Sequence, residues 1–332
     1  MEKELVSIII PCYNTGHLVG KLLNSILKQD YPRVELFIID DGSTDNTRDI
    51  TYTYANAFSD KGYFFKYLYQ QNSGQSVAIK NGLKYVKGKY LLWPDSDDYY
   101  IRSDAISLLV KAMEKDKSIP LLRGSGNIVD EDTGNVLKVL GGNQANMIHY
   151  NDFEDCLFTR NGFFYQPICY ILRFSSLKNC SHFPIYTSKS AGQNWQLMLP
   201  VLYNQQIGII PEVICNILER KSSHSRIMKQ SYEKEVLGKR TYRDTIIGTL
   251  NRIIVMNDEE RNYYINQVKE FYLRKEIEID YSYDQYNSFL KNYALYKKQY
   301  PANVNPRMRL WYYMNLTRTS KLLKKLKSLF II

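Results

Sequence analysis

The sequence predicts an α/β fold: an open, mostly parallel sheet with helices on both faces, plus a C-terminal helical extension. Three observations carry this. Apolar, β-branched runs alternate with helix-period segments through the first hundred residues. Three of these runs end in polar, turn-forming clusters: Cys12-Tyr13-Asn14, Asp40-Asp41-Gly42-Ser43 and Asp95-Ser96-Asp97-Asp98. From Met228 onward the pattern becomes helical. Such alternation suits a parallel sheet, whose neighbouring strands need crossover connections.

The elements follow in order. Val6–Ile10 reads as a buried strand, and Leu18, Leu22, Leu23, Ile26 and Leu27 then recur at helical spacing, with Pro32 beyond. Val34–Ile39 is a second strand. Thr44 to Phe58 reads as a helix with Ser43 or Asp45 at its N-cap. Phe64–Tyr69 is a third strand, Val77–Val86 a helix and Tyr90–Trp93 a fourth strand. Ile101 to Arg226 is irregular, with strand-like runs at Leu121–Arg123, Ile168–Arg173 and Ile207–Ile210. Helical patterns return at Tyr242–Met256 and Tyr263–Ile277. The expected divisions are a ligand-binding half (1–100), a second half of the same sheet domain (101–227) and a helical region (228–332). Ligands of open α/β sheets bind beyond the carboxyl ends of the strands, where the three polar clusters lie.

Composition narrows the function. Of 332 residues, 44% are apolar and 23% charged, ordinary globular usage that excludes wholesale disorder. Five scattered cysteines without a CxxC pair exclude a disulfide framework and a thiolate zinc cluster, and favour a reducing compartment. Neither a signal peptide nor a run long enough to span a membrane is expected. Net charge is +10, of which residues 301–332 supply +7 through Arg307, Arg309, Arg318, Lys321, Lys324, Lys325 and Lys327, with no Asp or Glu. A nucleic-acid reader spreads its basic surface over the fold; here the body is nearly balanced, so no nucleic-acid partner is expected.

No GxGxxG follows the first strand, and no GxxxxGK[ST] occurs, so dinucleotide and P-loop fingerprints are both missing. The Asp95-Ser96-Asp97-Asp98 run is either a turn with a helix cap or a hard-cation site. Oxygen ligands suit Mg²⁺ or Mn²⁺, which keep waters and substrate phosphates. Asp40-Asp41-Gly42-Ser43 is either a strand-to-helix turn or an acceptor for a nucleobase N–H.

Taken together, these segments resemble the family 2 glycosyltransferases of the GT-A fold, of the bacterial cell-surface glycan type. Val6-Ser7-Ile8-Ile9-Ile10-Pro11-Cys12-Tyr13-Asn14 is similar to that family's opening strand. Ser25-Ile26-Leu27-Lys28-Gln29 with Glu35 to Asp45 is similar to its second block. Asn72-Ser73-Gly74, Lys80-Asn81-Gly82, Gly88-Lys89-Tyr90 and Asp95-Ser96-Asp97-Asp98 complete an ordered match over about the first hundred residues. The resemblance implies inverting, metal-dependent transfer of a hexosyl or N-acetylhexosaminyl group from a nucleotide sugar, UDP-linked, to a glycan or lipid-linked acceptor. It implies donor contacts from Pro11, Tyr13, Asn14, Asp41, Lys80 and Asp97, and Mg²⁺ or Mn²⁺ at Asp95, Asp97 and Asp98. Lys80 stands where the family usually has Arg, which removes bidentate geometry toward phosphate.

One departure bears on catalysis. Inverting members carry an acidic pair ahead of a tryptophan, and the matching stretch here is Gly192-Gln193-Asn194-Trp195-Gln196. An amide is no general base near neutral pH. Three alternatives stand: a base from Asp152, Glu154 or Asp155; His224, within Ser223-His224-Ser225-Arg226; or an acceptor phosphate already ionised. His17, His149 and His182 read as structural or surface histidines.

The tail ends in a basic amphipathic pattern. Leu322, Leu323, Leu326, Leu329 and Phe330 share a helical face, lysines fill the rest, and Trp311, Tyr312 and Tyr313 precede it. This predicts attachment of 319–332 to an anionic membrane, placing a cytoplasmic protein on the inner face of the cell membrane. Two competing functions are a non-catalytic nucleotide-sugar-binding member of the same fold, kept open by Asn194, and a sugar nucleotidyltransferase. The latter would want a glycine- and arginine-rich loop where Cys12-Tyr13-Asn14-Thr15 stands.

Overall fold

The computed structural model describes residues 3–141, 147–150, 152–220 and 231–316. The chain divides into two compact units, residues 1–221 with 245–261 and residues 222–244 with 262–332. The ranges expected from sequence as the two halves of the sheet domain fall almost wholly in the first unit, which also takes in residues 245–261.

The first unit is built on one ten-stranded sheet. Strands β1 (Val6–Cys12) and β2 (Val34–Asp40) are buried along their whole length, which explains their mostly apolar character. With β3 (Phe64–Tyr69) and β4 (Tyr90–Leu92) they make the parallel core, in the order β3-β2-β1-β4. Register is tight: Pro11 lies opposite Ile39 and Cys12 opposite Asp40. The crossovers are α1 (Gly16–Leu27), then α2 (Thr47–Tyr52) and α3 (Ala55–Asp60), then α4 (Gln75–Leu83).

The single helix expected over Thr44–Phe58 is thus two. Thr51 Oγ1 donates to the Thr47 carbonyl and Thr53 Oγ1 to that of Ile50, side-chain bonds that compete with helix continuation. On the amino-terminal side of the sheet, buried Glu35 accepts from Ser7 Oγ and from the backbone N–H groups of Lys87 (2.7 Å) and Gly88 (3.1 Å). Its desolvated charge is fully engaged there, leaving that edge a stability feature.

The second half of the sheet has longer strands than the sequence pattern predicts. After β5 (Tyr99–Tyr100) and α5 (Ala105–Lys115), β6 (Leu121–Asp130) runs ten residues, not three. Strands β7 (Val136–Leu140) and β8 (Met147–Tyr150), α6 (Asp152–Phe158), β9 (Tyr170–Arg173), α7 (Phe174–Cys180) and α8 (Asn194–Leu202) lead to β10 (Gln206–Glu219), fourteen residues long. The order continues β4-β9-β6-β10-β5, with β9 antiparallel to both neighbours and β6 parallel to β10. Register shifts between Ile209 and Cys215 interrupt the alternation of β10 and hid its length in the sequence.

The second unit is helical, from the first part of α9 (Tyr232–Leu250), most of α10 (Asp258–Ser282), α11 (Tyr286–Gln299) and α12 (Pro306–Leu316). Ile277, Phe289, Tyr293, Tyr296, Val304, Met308 and Trp311 form its core, where Trp311 stacks on Tyr281 at 4.5 Å. Trp311 and Tyr312, flagged from sequence as membrane-facing types, therefore pack inward, whereas Tyr313 is exposed. The expected membrane segment 319–332 lies outside the described residues. No described helix is long and apolar enough to cross a membrane.

Candidate active site

Three adjacent parallel strands, β2, β1 and β4, deliver their following loops to the same edge of the sheet. Near the end of β1 Pro11 is buried; beyond the strand Tyr13 is exposed and Asn14 adopts a left-handed φ of +52°. The Asn14 side-chain oxygen accepts from the Thr44 N–H (2.8 Å), and its own N–H donates to Ser43 Oγ (2.9 Å). Asp45 then accepts from the N–H groups of Gly16 (3.0 Å) and Thr47 (3.0 Å), joining the starts of α1 and α2. Asn14 is therefore a clamp between two loops, a role that its sequence position gave no sign of.

Asp41 is buried and anchored to β1 by its N–H, which donates to the Cys12 carbonyl at 2.8 Å. Its carboxylate accepts from the N–H groups of Ser73 and Gly74 (both 2.8 Å) and from Gln70 Nε2 (2.7 Å). Two glycines make this close approach possible. Gly42 has φ +83° and a Cβ there would lie 2.7 Å from the Asn72 nitrogen. Gly74 has φ +96° and a Cβ would lie 2.2 Å from the Lys189 carbonyl oxygen. Lys80, on α4, is half-buried and makes no hydrogen bond or ion pair with a described residue.

The Asp95–Asp98 turn follows β4. Asp95 Oδ1 accepts from Gln75 Nε2 (2.8 Å) and Gln193 Nε2 (2.7 Å). Burial, reinforced by the neighbouring Asp97 charge, pushes the Asp95 carboxyl up to about 7. Asp97 forms an ion pair with Arg220, the residue after β10. Asp98 is buried, and its Oδ1 accepts from the Leu218 N–H at 3.0 Å. Burial and the charges of Asp97 and Asp95 hold the Asp98 carboxyl well above the usual carboxylate range. The three carboxylates expected as one metal set thus share no partner: Asp95 bonds Gln75 and Gln193, Asp97 pairs with Arg220, and Asp98 bonds the Leu218 N–H. Among the described residues no group of three His, Cys, Asp or Glu side chains is arranged to hold a metal ion.

Asn194 opens α8, and both ends of its amide are engaged: Trp93 Nε1 donates to Oδ1 (3.2 Å) and Nδ2 donates to the Tyr165 carbonyl (2.8 Å). A carboxylate at this position would face the Tyr165 oxygen without a proton to share. Asn194→Asp is therefore expected to lower stability by about 1–3 kcal/mol, and a thermal melt equal to that of the wild type would refute this. Of the alternative bases, Asp155 accepts from Asn161 Nδ2 (2.9 Å) and Glu154 pairs with Arg160 (3.9 Å), both contacts being exposed. Asp152 lies at the start of α6, and His224 lies outside the described residues. Sequence reasoning missed Gln70, Gln75, Gln193 and Arg220. Only the Gln193-Asn194 amide pair and a basic residue ending a strand run were there to signal them.

An open sheet with a parallel core, and polar clusters after three adjacent strands, defines a GT-A-type fold with its site at the carboxyl edge. Residues 7–180, just over half of the chain, match the glycosyl transferase family 2 profile, and the chain belongs to that family. GlyG of Streptococcus pneumoniae serotype 4 is 35% identical over 133 residues, covering 40% of this chain and 42% of that protein. TuaG of Bacillus subtilis (strain 168), a glycosyltransferase provisionally assigned to teichuronic acid biosynthesis, is 37% identical over 113 residues, covering 34% and 44%. These matches span less than half the length of either relative. Among solved structures, residues 1–349 of S. aureus TarS in complex with UDP-GlcNAc superpose with a TM-score of 0.67 at 17% identity, covering 98% of this chain and 92% of that one. That likeness extends the shared fold past the matched family region.

Proposed function

We propose that this protein transfers a hexosyl or N-acetylhexosaminyl group, with inversion, from a UDP-linked donor to a glycan or lipid-linked acceptor of the cell envelope. One observation carries the reading: Asp41 directly follows β2 and Asp97 lies in the turn after β4, the parallel strands on either side of β1, so a nucleotide laid across the end of β1 would meet both. The nucleoside half of the donor lies by Pro11, Tyr13 and Asp41, and Lys80 offers its charge to phosphate. Family membership supports the reaction class, the UDP-GlcNAc bound in the TarS structure supports the donor, and TuaG supports a cell-envelope product.

The donor set at Asp95 and Asp97 fits a hard divalent ion, Mg²⁺ or Mn²⁺, held by one or two carboxylates and the donor's phosphates. A cation would also relieve the opposed ionisation of Asp95. Bound there, it would neutralise charge building on the departing diphosphate. The chain's own part is positional: Gln75 and Gln193 fix Asp95, and the Leu218 N–H fixes Asp98, so the turn is rigid when the donor arrives. His224 is the proposed base, with an ionised phosphate acceptor as the alternative that needs none.

A second reading, donor binding without transfer, is favoured by the amide pair Gln193-Asn194, which bonds within the protein. A panel of nucleotide sugars with Mn²⁺ separates the two. Transfer predicts thermal stabilisation together with nucleotide release, and binding alone predicts stabilisation without release. No stabilisation by any nucleotide sugar would sink both.

The tail supports attachment to the inner face of the cell membrane. Removing residues 319–332 is expected to abolish sedimentation with anionic vesicles while sparing donor hydrolysis. Each lysine near such a surface contributes about 1 kcal/mol, so salt acts in the same direction. Vesicle binding that survives truncation would refute the anchor.

A further inference from the structure

We propose that Arg220 is the cation that Asp97 keeps until a diphosphate arrives, so that a divalent ion binds together with the nucleotide and not ahead of it. The inference rests on the nucleotide-sugar reading of this site. Arg220 Nη2 donates to Asp97 Oδ2, with side chains only 18% and 17% exposed. Such a pair is partly desolvated, unlike the solvent-exposed pairs that contribute little. Its neighbours in the turn are themselves engaged. Asp95 Oδ1 already accepts from two glutamine amides, and Asp98 Oδ1 accepts from the Leu218 N–H, so both carboxyls are tied within the turn. A dication arriving alone therefore meets a carboxylate already neutralised.

The guanidinium also has an unused side. Arg220 Nε is buried and has no hydrogen-bond partner among the described residues. A buried N–H left unpaired is costly, and Nε beside Nη2 forms the fork that takes two anionic oxygens. A diphosphate supplies such oxygens and the strongest reason for the guanidinium to leave or share Asp97. Strand geometry places it: the Leu218 N–H is bonded to Asp98, and two residues on, Arg220 reaches Asp97 in the same turn.

The test reads metal binding, not turnover. Free Mn²⁺ is followed by electron paramagnetic resonance during titration of the full chain, with and without saturating UDP. The wild type is expected to bind Mn²⁺ about tenfold more tightly with UDP than without it. Arg220→Gln is expected to bind Mn²⁺ without nucleotide about tenfold more tightly than the wild type, which narrows the gain that UDP brings. Equal nucleotide-free Mn²⁺ affinity in the two folded proteins overturns the proposal. Should Arg220→Gln not fold, Arg220→Lys keeps the charge but lacks the fork, and its UDP affinity is expected to fall about tenfold. An unchanged UDP affinity in that variant overturns the proposal equally. If neither protein binds UDP, the donor reading fails, and the nucleotide-free Mn²⁺ comparison still decides the role of Arg220.

Discussion

Asp97→Asn is expected to lower sugar transfer at least about a hundredfold, the scale on which removing one preorganised electrostatic group acts, while the protein stays folded. Asp97 is half-buried, and its partner among the described residues is a single guanidinium. Substitution by the isosteric amide keeps the shape and removes the negative charge that would face the cation and diphosphate. The measurement is product formation at saturating donor, alongside a thermal melt. A variant that melts normally and turns over within about threefold of the wild type would show that Asp97 is no part of the charge machinery. Asp98→Asn makes the contrast, because its side chain bonds the backbone of β10 and the amide oxygen can still accept from Leu218.

The second large effect is expected at Asp41, and it is double. Asp41→Ala removes the acceptor for two backbone N–H groups, Ser73 and Gly74, and for the Gln70 amide. Each donor left unpaired away from water costs about 1–3 kcal/mol, so unfolding free energy should drop by several kcal/mol. Because Gln70 also accepts from Asn81 on α4 (2.6 Å), the loss spreads into the helix that carries Lys80. Nucleotide affinity should fall at least about tenfold, partly through the lost contact and partly through the loosened 70–74 loop. Asp41→Asn, which keeps one acceptor oxygen, should lose less stability than Asp41→Ala. Calorimetry and denaturant melts giving wild-type values for Asp41→Ala would dispose of both halves of the argument.

The first two strands were legible because their burial is continuous and the runs Val6–Ile10 and Val34–Ile39 are mostly apolar, whereas β3 is exposed or half-buried throughout. The glycines at 42 and 74 were legible as turn residues, but the Asn72 nitrogen and the Lys189 carbonyl oxygen against which they fit belong to other loops. The polar clusters were legible as a group, whereas the partner of each carboxylate was not. Gln193 and Arg220 reach Asp95 and Asp97 across about a hundred residues of chain, through strands whose pairing no local pattern announces. The two helices of 47–60 were read as one because propensity says little about a threonine hydroxyl turning back on its own backbone.

The hydrogen bond from Leu218 to Asp98 has a further consequence for how this chain can change. The far end of β10 is sewn to the turn after β4 at one residue, and two positions later the chain must present a guanidinium to Asp97. Successive side chains of an extended segment point to opposite sides, so one residue gained or lost between 218 and 220 would aim Arg220 away. The reversal at 131–134, between β6 and β7, carries no such requirement; it is exposed, and Gly134 has open space around it. Relatives of this chain are therefore free to vary in length at that hairpin but held to a fixed count at the end of β10.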